Sequence, residues 1–174
     1  IALGLTNAYL KRCVRKGLVK VAQAPANRYA YYLTPKGFSE KSRLTAGYLR
    51  RSFDFYRHAR SECDDALANC AAHDWNKVVL VGSGDLAEIA LLCAMQHKID
   101  IVGVLDAWAD DDSFLHVPLV QEIDKLAPAD AALITDVSKP QRAYLSLADA
   151  ITSDRILVPP MLGFNPETMG GPGR

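Results

Sequence analysis

Apolar positions recur along this chain first with helical, then with strand periods. Over residues 6–16 they fall at Leu10, Cys13 and Val14, leaving Asn7, Lys11, Arg12, Arg15 and Lys16 on the opposite side. This pattern predicts a helix capped by the Thr6 hydroxyl and ended at Gly17 in a left-handed turn. Residues 18–21 and 29–34 read as two strands about the turn Ala24-Pro25-Ala26-Asn27, which makes a hairpin with Arg28 at its tip. Pro35 then starts a long helix over residues 36–70, without another proline and with Gly47 inside. Thr45, Leu49, Ser52, Tyr56, Ala59, Cys63 and Ala66 follow a weak seven-residue rhythm. That rhythm suits a dimer seam or packing on the chain's own second domain.

From Lys77 the pattern changes. Val78-Val79-Leu80-Val81 is a continuous apolar run, as expected of a strand buried on both faces. It breaks at Gly82-Ser83-Gly84, a helix follows over residues 86–96, and a second strand over residues 99–105 ends at Asp106. A short helix reaching Leu126, strands at 131–136 and 155–158, and a helix over 140–151 complete the expectation. The Gly/Pro-rich stretch 165–174 reads as a flexible tail.

Charge divides the chain at nearly the same place. Residues 1–60 carry thirteen Lys and Arg against only Glu40 and Asp54, a net of +11, and the rest carries −11. A basic segment of this kind is the electrostatic footprint of a polyanion-binding module. Tyr9, Tyr29, Tyr31 and Tyr32 read as core or strand-face residues rather than base-stacking platforms. No apolar run approaches a membrane span, and no signal peptide pattern is present, so a cytoplasmic location is expected. The four cysteines lack zinc-ligand spacing. They are expected to fill space as reduced thiols, with Cys63 and Cys70 the alternative of a redox pair.

The chemistry concentrates in two places. Gly82, Gly84 and Ala87 fit G-x-G-x-x-A after a strand and before a helix. The first glycine permits the turn, the second lets backbone N–H groups approach a phosphate, and Ala87 lets helix and strand pack closely. Ser83, Asp85 and Leu86 complete this loop, and Asp85 is expected to repel a phosphate or to cap the helix instead. Asp106, 24 residues after Gly82, stands where a ribose-binding carboxylate is expected. Asp136, Ser138 and Lys139 follow a strand's C-terminal end and are candidate ligand contacts. The acidic run at Asp106, Asp110, Asp111 and Asp112 reads as a solvated loop, not a metal site. No nucleophile with a base, Tyr-x-x-x-Lys pair or zinc set is recognisable, so the protein is expected not to be an enzyme.

The helix, Gly, hairpin order and the phrases Lys16-Gly-Leu-Val-Lys-Val21 and Tyr32-Leu-Thr-Pro-Lys-Gly37 resemble MarR-type winged helix-turn-helix transcription regulators, closest to the group associated with exopolysaccharide loci. The likeness covers residues 1 to about 70. It implies that the two or three helices preceding the recognition helix in that family lie outside this sequence. It also implies double-stranded DNA as a partner, contacted by Thr6, Asn7, Lys11, Arg12, Arg15, Lys16, Asn27 and Arg28, and a homodimer. Residues 76–164 resemble the nucleotide-sugar or CoA-binding N-terminal domains beside sugar-modifying acyltransferases. The expected fold is therefore α/β: a partial winged helix-turn-helix (1–35), a linking or dimerisation helix (36–72) and a small parallel-sheet Rossmann-like domain (76–164). Gly82, Ser83, Gly84, Asp85, Leu86, Ala87, Asp106 and Asp136 would hold a nucleotide-type ligand. A nucleotide sugar is the favoured ligand, and NAD(H), as in redox-sensing repressors, or CoA the alternatives. A small nucleotide-sugar-modifying enzyme is the remaining reading.

Overall fold

The computed structural model describes residues 3–25 and 28–166. The fold is mixed α/β, and the chain divides into two compact units, residues 1–54 and 55–174. Asn27 and residues 167–174 of the expected tail lie outside the described residues.

The first unit opens with α1 (Leu3–Arg15), followed by an antiparallel hairpin of β1 (Val19–Ala24) and β2 (Arg28–Leu33). Thr6 lies one turn inside α1 and does not cap it, because Leu3, Gly4 and Leu5 already continue the helix. Helix propagation is easier than initiation, so a cap signal inside a helical run yields to its neighbours. Gly17 does end the helix in the left-handed region, at φ +66°. Leu10 and Cys13 are half-buried and Val14 is exposed, so the expected inward stripe is only partly covered. Tyr9, Tyr29, Tyr31 and Tyr32 are exposed rather than core residues. Tyr9 lies on α1, and the hairpin carries the other three on a two-stranded sheet too small to bury both faces.

Helix α2 (Pro35–Ala72) starts at a built junction. The Thr34 hydroxyl donates to the Gly17 carbonyl at 2.7 Å and accepts the Gly37 N–H at 3.0 Å. A Cβ on Gly37 would overlap the Leu18 carbonyl, so the helix start and the hairpin approach closely only with glycine there. Along α2 the apolar stripe has two fates. Ala59, Cys63, Leu67 and Cys70 are fully buried in the core of the second unit, whereas Phe38, Leu44, Tyr48, Leu49 and Phe53 are exposed.

The second unit adds β3 (Lys77–Val81), α3 (Asp85–His97), β4 (Asp100–Leu105), β5 (Ser113–Phe114), β6 (Val117–Val120), β7 (Ala131–Ile134), α4 (Pro140–Leu145) and β8 (Ile156–Leu157). They form a six-stranded sheet in the order β5-β6-β4-β3-β7-β8, parallel except for β5. Successive β3 side chains alternate between two cores, as a strand demands. Val78 and Leu80 pack with α3 and the second half of α2; Val79 and Val81 pack with Ala143 and Leu147 on the other face. Two covered faces explain the uninterrupted apolar run.

Helix α4 is shorter than expected and ends at Leu145. The Ser146 hydroxyl turns back to the Ala143 carbonyl at 2.8 Å, and the chain tightens into i→i+3 bonds such as Leu147 N–H to Tyr144 O. Serine competing for helix carbonyls favours such an ending. Residues 123–125 make one 3-10 turn, and β5 and β6 add strands not foreseen from the sequence.

Candidate functional site

In the first unit, Thr6, Asn7, Lys11, Arg12, Arg15, Lys16 and Arg28 are all exposed. The first six lie on or just after α1, and Arg28 opens β2 at the hairpin's tip. An open groove of about 600 Å³ runs between α1 and the hairpin, lined by Asn7, Lys11 and Arg15 beside Leu10, Val21 and Tyr31. The neighbouring acid Glu40 is matched locally. Arg43 donates to it through two nitrogens at 2.7 and 2.9 Å, and these bonds hold its carboxyl below its ordinary pKa. Exposed guanidinium and ammonium groups can hold phosphates, and Asn7 and the arginines carry the donors that read base edges.

In the second unit the strand order reverses between β3 and β7, and the chain turns sharply there. Gly82 adopts φ +110° and donates its N–H to the Leu105 carbonyl at 2.9 Å. The Val81 carbonyl accepts N–H groups from both Thr135 and Asp136, and the buried Thr135 hydroxyl donates to the Gly82 carbonyl at 2.7 Å. These bonds seat the glycine loop on the end of β7. Gly84 then precedes α3 with extended backbone, φ −96°. Asp85 is the first residue of α3, and no side chain caps that helix. The expected Asp85 cap is therefore absent, and its carboxylate instead lines the cleft above the loop. Leu86 and Ala87 are fully buried, holding α3 against the sheet.

Asp106 follows the C-terminal end of β4 and reaches the loop. Its Oδ2 accepts the Ser83 hydroxyl at 2.6 Å and the Ser83 N–H at 3.2 Å, and its Oδ1 accepts the Trp108 N–H at 3.0 Å. Burial pushes the Asp106 carboxyl up, but these donors outweigh it and hold the pKa below the ordinary aspartate value. Asp136 turns toward its own chain, its Oδ1 accepting the N–H groups of Ser138 and Lys139 at 2.8 and 2.9 Å. It shapes the turn into α4.

Two clefts open at this edge of the sheet. One of about 540 Å³ lies over the glycine loop, bounded by Phe55, Asp85, Trp108, Ser138 and Lys139. The other, about 320 Å³, lies between Leu105, Gln121, Ile123 and Arg142. Gly82, Asp106, Trp108 and Asp136 line both. Clefts beyond the carboxyl ends of parallel strands, where strand order reverses, are the usual ligand sites of such sheets.

Sequence reasoning missed Phe55, Trp108 and Arg142. The Arg142 guanidinium stands 4.7 Å from the centre of the exposed Trp108 ring, with the Lys139 ammonium at 6.0 Å. The position of Trp108, directly after the strand-ending acid, was its only signal. Among the described residues no three His, Cys, Asp or Glu side chains are placed to hold a metal ion. Within the same limits, no helix is long and apolar enough to cross a membrane. Comparison with protein-family models, curated proteins and solved structures finds no match to this chain.

Proposed function

We propose that this protein is a DNA-binding transcription regulator of winged-helix type, whose second unit is a Rossmann-like sensor of a nucleotide-type metabolite such as a nucleotide sugar. Numbered by appearance, the parallel strands β3, β4, β6, β7 and β8 run 3-2-1-4-5 across the sheet, the arrangement of doubly wound nucleotide-binding folds. The glycine loop and Asp106 stand together at the reversal point of that order. Helix, hairpin and exposed basic residues in the first unit support DNA as the partner.

The observation that carries the reading is α2. It begins directly after the hairpin, and its Phe55 lines the cleft above the glycine loop. A ligand there touches the helix that leads from the DNA-binding unit. By binding one arrangement of that helix better, it would shift the population presented to DNA. A homodimer would offer two recognition helices to two half-sites.

Two measurements on the whole protein test this. Affinity for duplex DNA should fall steeply as salt rises, because phosphate contacts release counterions. Affinity that ignores salt would end the DNA half of the proposal. Among UDP-sugars, NAD, NADH and CoA, at least one should raise the melting temperature, since a ligand specific to the native state stabilises it. No shift with any of them would remove the sensor half.

A further inference from the structure

Strand alternation divides the hairpin tyrosines between two faces. Tyr29 and Tyr31 share one face of β2, and Tyr32 stands on the other. Tyr31, paired opposite Val21, lines the groove between α1 and the hairpin. Leu10, Val14 and Val21 give that groove an apolar floor, and Lys11, Arg15 and Asn7 give it a polar margin. Among the described residues no acid lines it. Tyr31 is nevertheless 50% exposed, and Tyr29, nearer the Arg28 tip on the same face, is 65% exposed. Aromatic faces beside ammonium and guanidinium groups match a strand of bases joined by phosphates, since rings stack on bases and cations hold the backbone. Duplex DNA does not offer that surface. Its bases cover one another's faces and present only edges in the grooves, so a tyrosine meets a base face only after the base leaves the stack. Unpaired bases present their faces directly.

We infer that the groove between α1 and the hairpin binds single-stranded DNA, with bases stacked on Tyr31 and Tyr29 and phosphates held by Lys11 and Arg15. The apolar floor favours deoxyribose, because a 2′-hydroxyl laid over Leu10, Val14 and Val21 would lose water without gaining a partner. Helix geometry keeps this contact apart from the duplex. Residues two apart on a helix do not share a face, so Arg12, two from both Leu10 and Val14, points away from the groove. Neither Arg12 nor Lys16 lines it. The inference therefore adds an activity to the duplex reading: Lys11 and Arg15 serve the unpaired strand, and Arg12 and Lys16 remain for the duplex.

Anisotropy titrations of the whole protein test this with labelled oligothymidylate, oligouridylate and a mixed-sequence duplex, each about twelve nucleotides long, within the span of such sites. Oligothymidylate should bind, and more tightly than oligouridylate. Tyr31→Ala should weaken it at least about fivefold, the loss of one stacked base, while duplex affinity stays within about twofold. Tyr31→Phe should keep the affinity, because the ring remains. Tyr32→Ala removes a ring from the opposite face of the same strand and should leave single-strand affinity within about twofold, which separates stacking from damage to the hairpin. Should Tyr31→Ala fail to fold, Tyr29→Ala carries the same expectation. If Tyr31→Ala costs no more than Tyr32→Ala, or weakens the duplex equally, stacking in the groove is wrong. Oligouridylate binding the tighter would overturn the assignment to DNA. If the duplex binds and oligothymidylate does not, the inference falls and the regulator stands. If neither binds, both fall.

Discussion

The Cβ that Gly82 lacks would stand 2.5 Å from the backbone nitrogen of Asp136 and 2.6 Å from its Cα. Neither atom can retreat, because Asp136 N–H is bonded to Val81 O at 2.8 Å across the β3–β7 pairing. Gly82 also holds φ +110°, where other residues are strained. Gly82→Ala should therefore cost about 3 kcal/mol of stability, combining overpacking with backbone strain. Gly84 differs, with open space above it and ordinary backbone angles. Gly84→Ala should leave stability within about 0.5 kcal/mol while weakening nucleotide binding. Urea unfolding of both variants separates the two roles, and equal losses would contradict them.

Glu62 on α2 accepts the Met161 N–H at 2.7 Å and lies 2.9 Å from His58 Nε2, with its side chain only 11% exposed. This bond holds the 3-10 turn at Pro160–Leu162 to the helix. Removing the acceptor should cost about 2 kcal/mol in Glu62→Ala, the penalty of an unmatched donor, and less in Glu62→Gln. Amide exchange at Met161 should quicken in the alanine variant.

Asp106 should leave a mark on acid stability. Its hydrogen bonds hold the folded pKa below the ordinary 3.8, so the unfolded chain takes up a proton at higher pH than the folded one. The stabilisation is fully present above the unfolded value and is lost as pH falls through the folded one. Asp106→Asn should flatten the stability curve below about pH 4. Stability unaffected by pH in wild type over that range would contradict the hydrogen-bonded geometry.

The buried thiols should be inert. Burial pushes Cys63 up to about 12, with nearby Cys93 and Glu62 adding to it, and burial pushes Cys70 up to about 11. Cys93 is raised too, first by burial and then by Asp64. At neutral pH iodoacetamide should modify half-buried Cys13 well before these three, which should react only on unfolding. Cys63 and Cys70 also cannot pair with each other. Seven residues of helix separate their Cα atoms by about 10 Å, beyond disulfide reach.

Much of the second unit was legible because its central strands announce themselves locally. β3 reads as a strand without knowing its neighbours, since both its faces are covered by apolar layers. The turn at Gly82 was readable for a similar reason, as the residue type and the backbone angle are one constraint. β5 and β6 were not readable. They are two and four residues long, β6 contains Pro118, and β6 exists through pairing with β4 and β5 through pairing with β6. The end of α4 hid behind a helical period that Ser146 interrupts.

The amino-acid sequence by itself determined the helix and hairpin order, the charge asymmetry, the glycine turn, and that Asp106 would end a strand. All of these depend on period, residue type or short spacing, which act within a few residues. Only the tertiary structure decided that α2 buries its stripe from Ala59 onward and exposes it up to Tyr56. Only there does Asp106 prove already bonded to Ser83, and Trp108 lie beneath Arg142 from α4. The reason is physical. Hydrogen-bond capacity and burial are shared among groups far apart in the chain, so the partner that satisfies a residue is settled by packing, not by its neighbours in sequence.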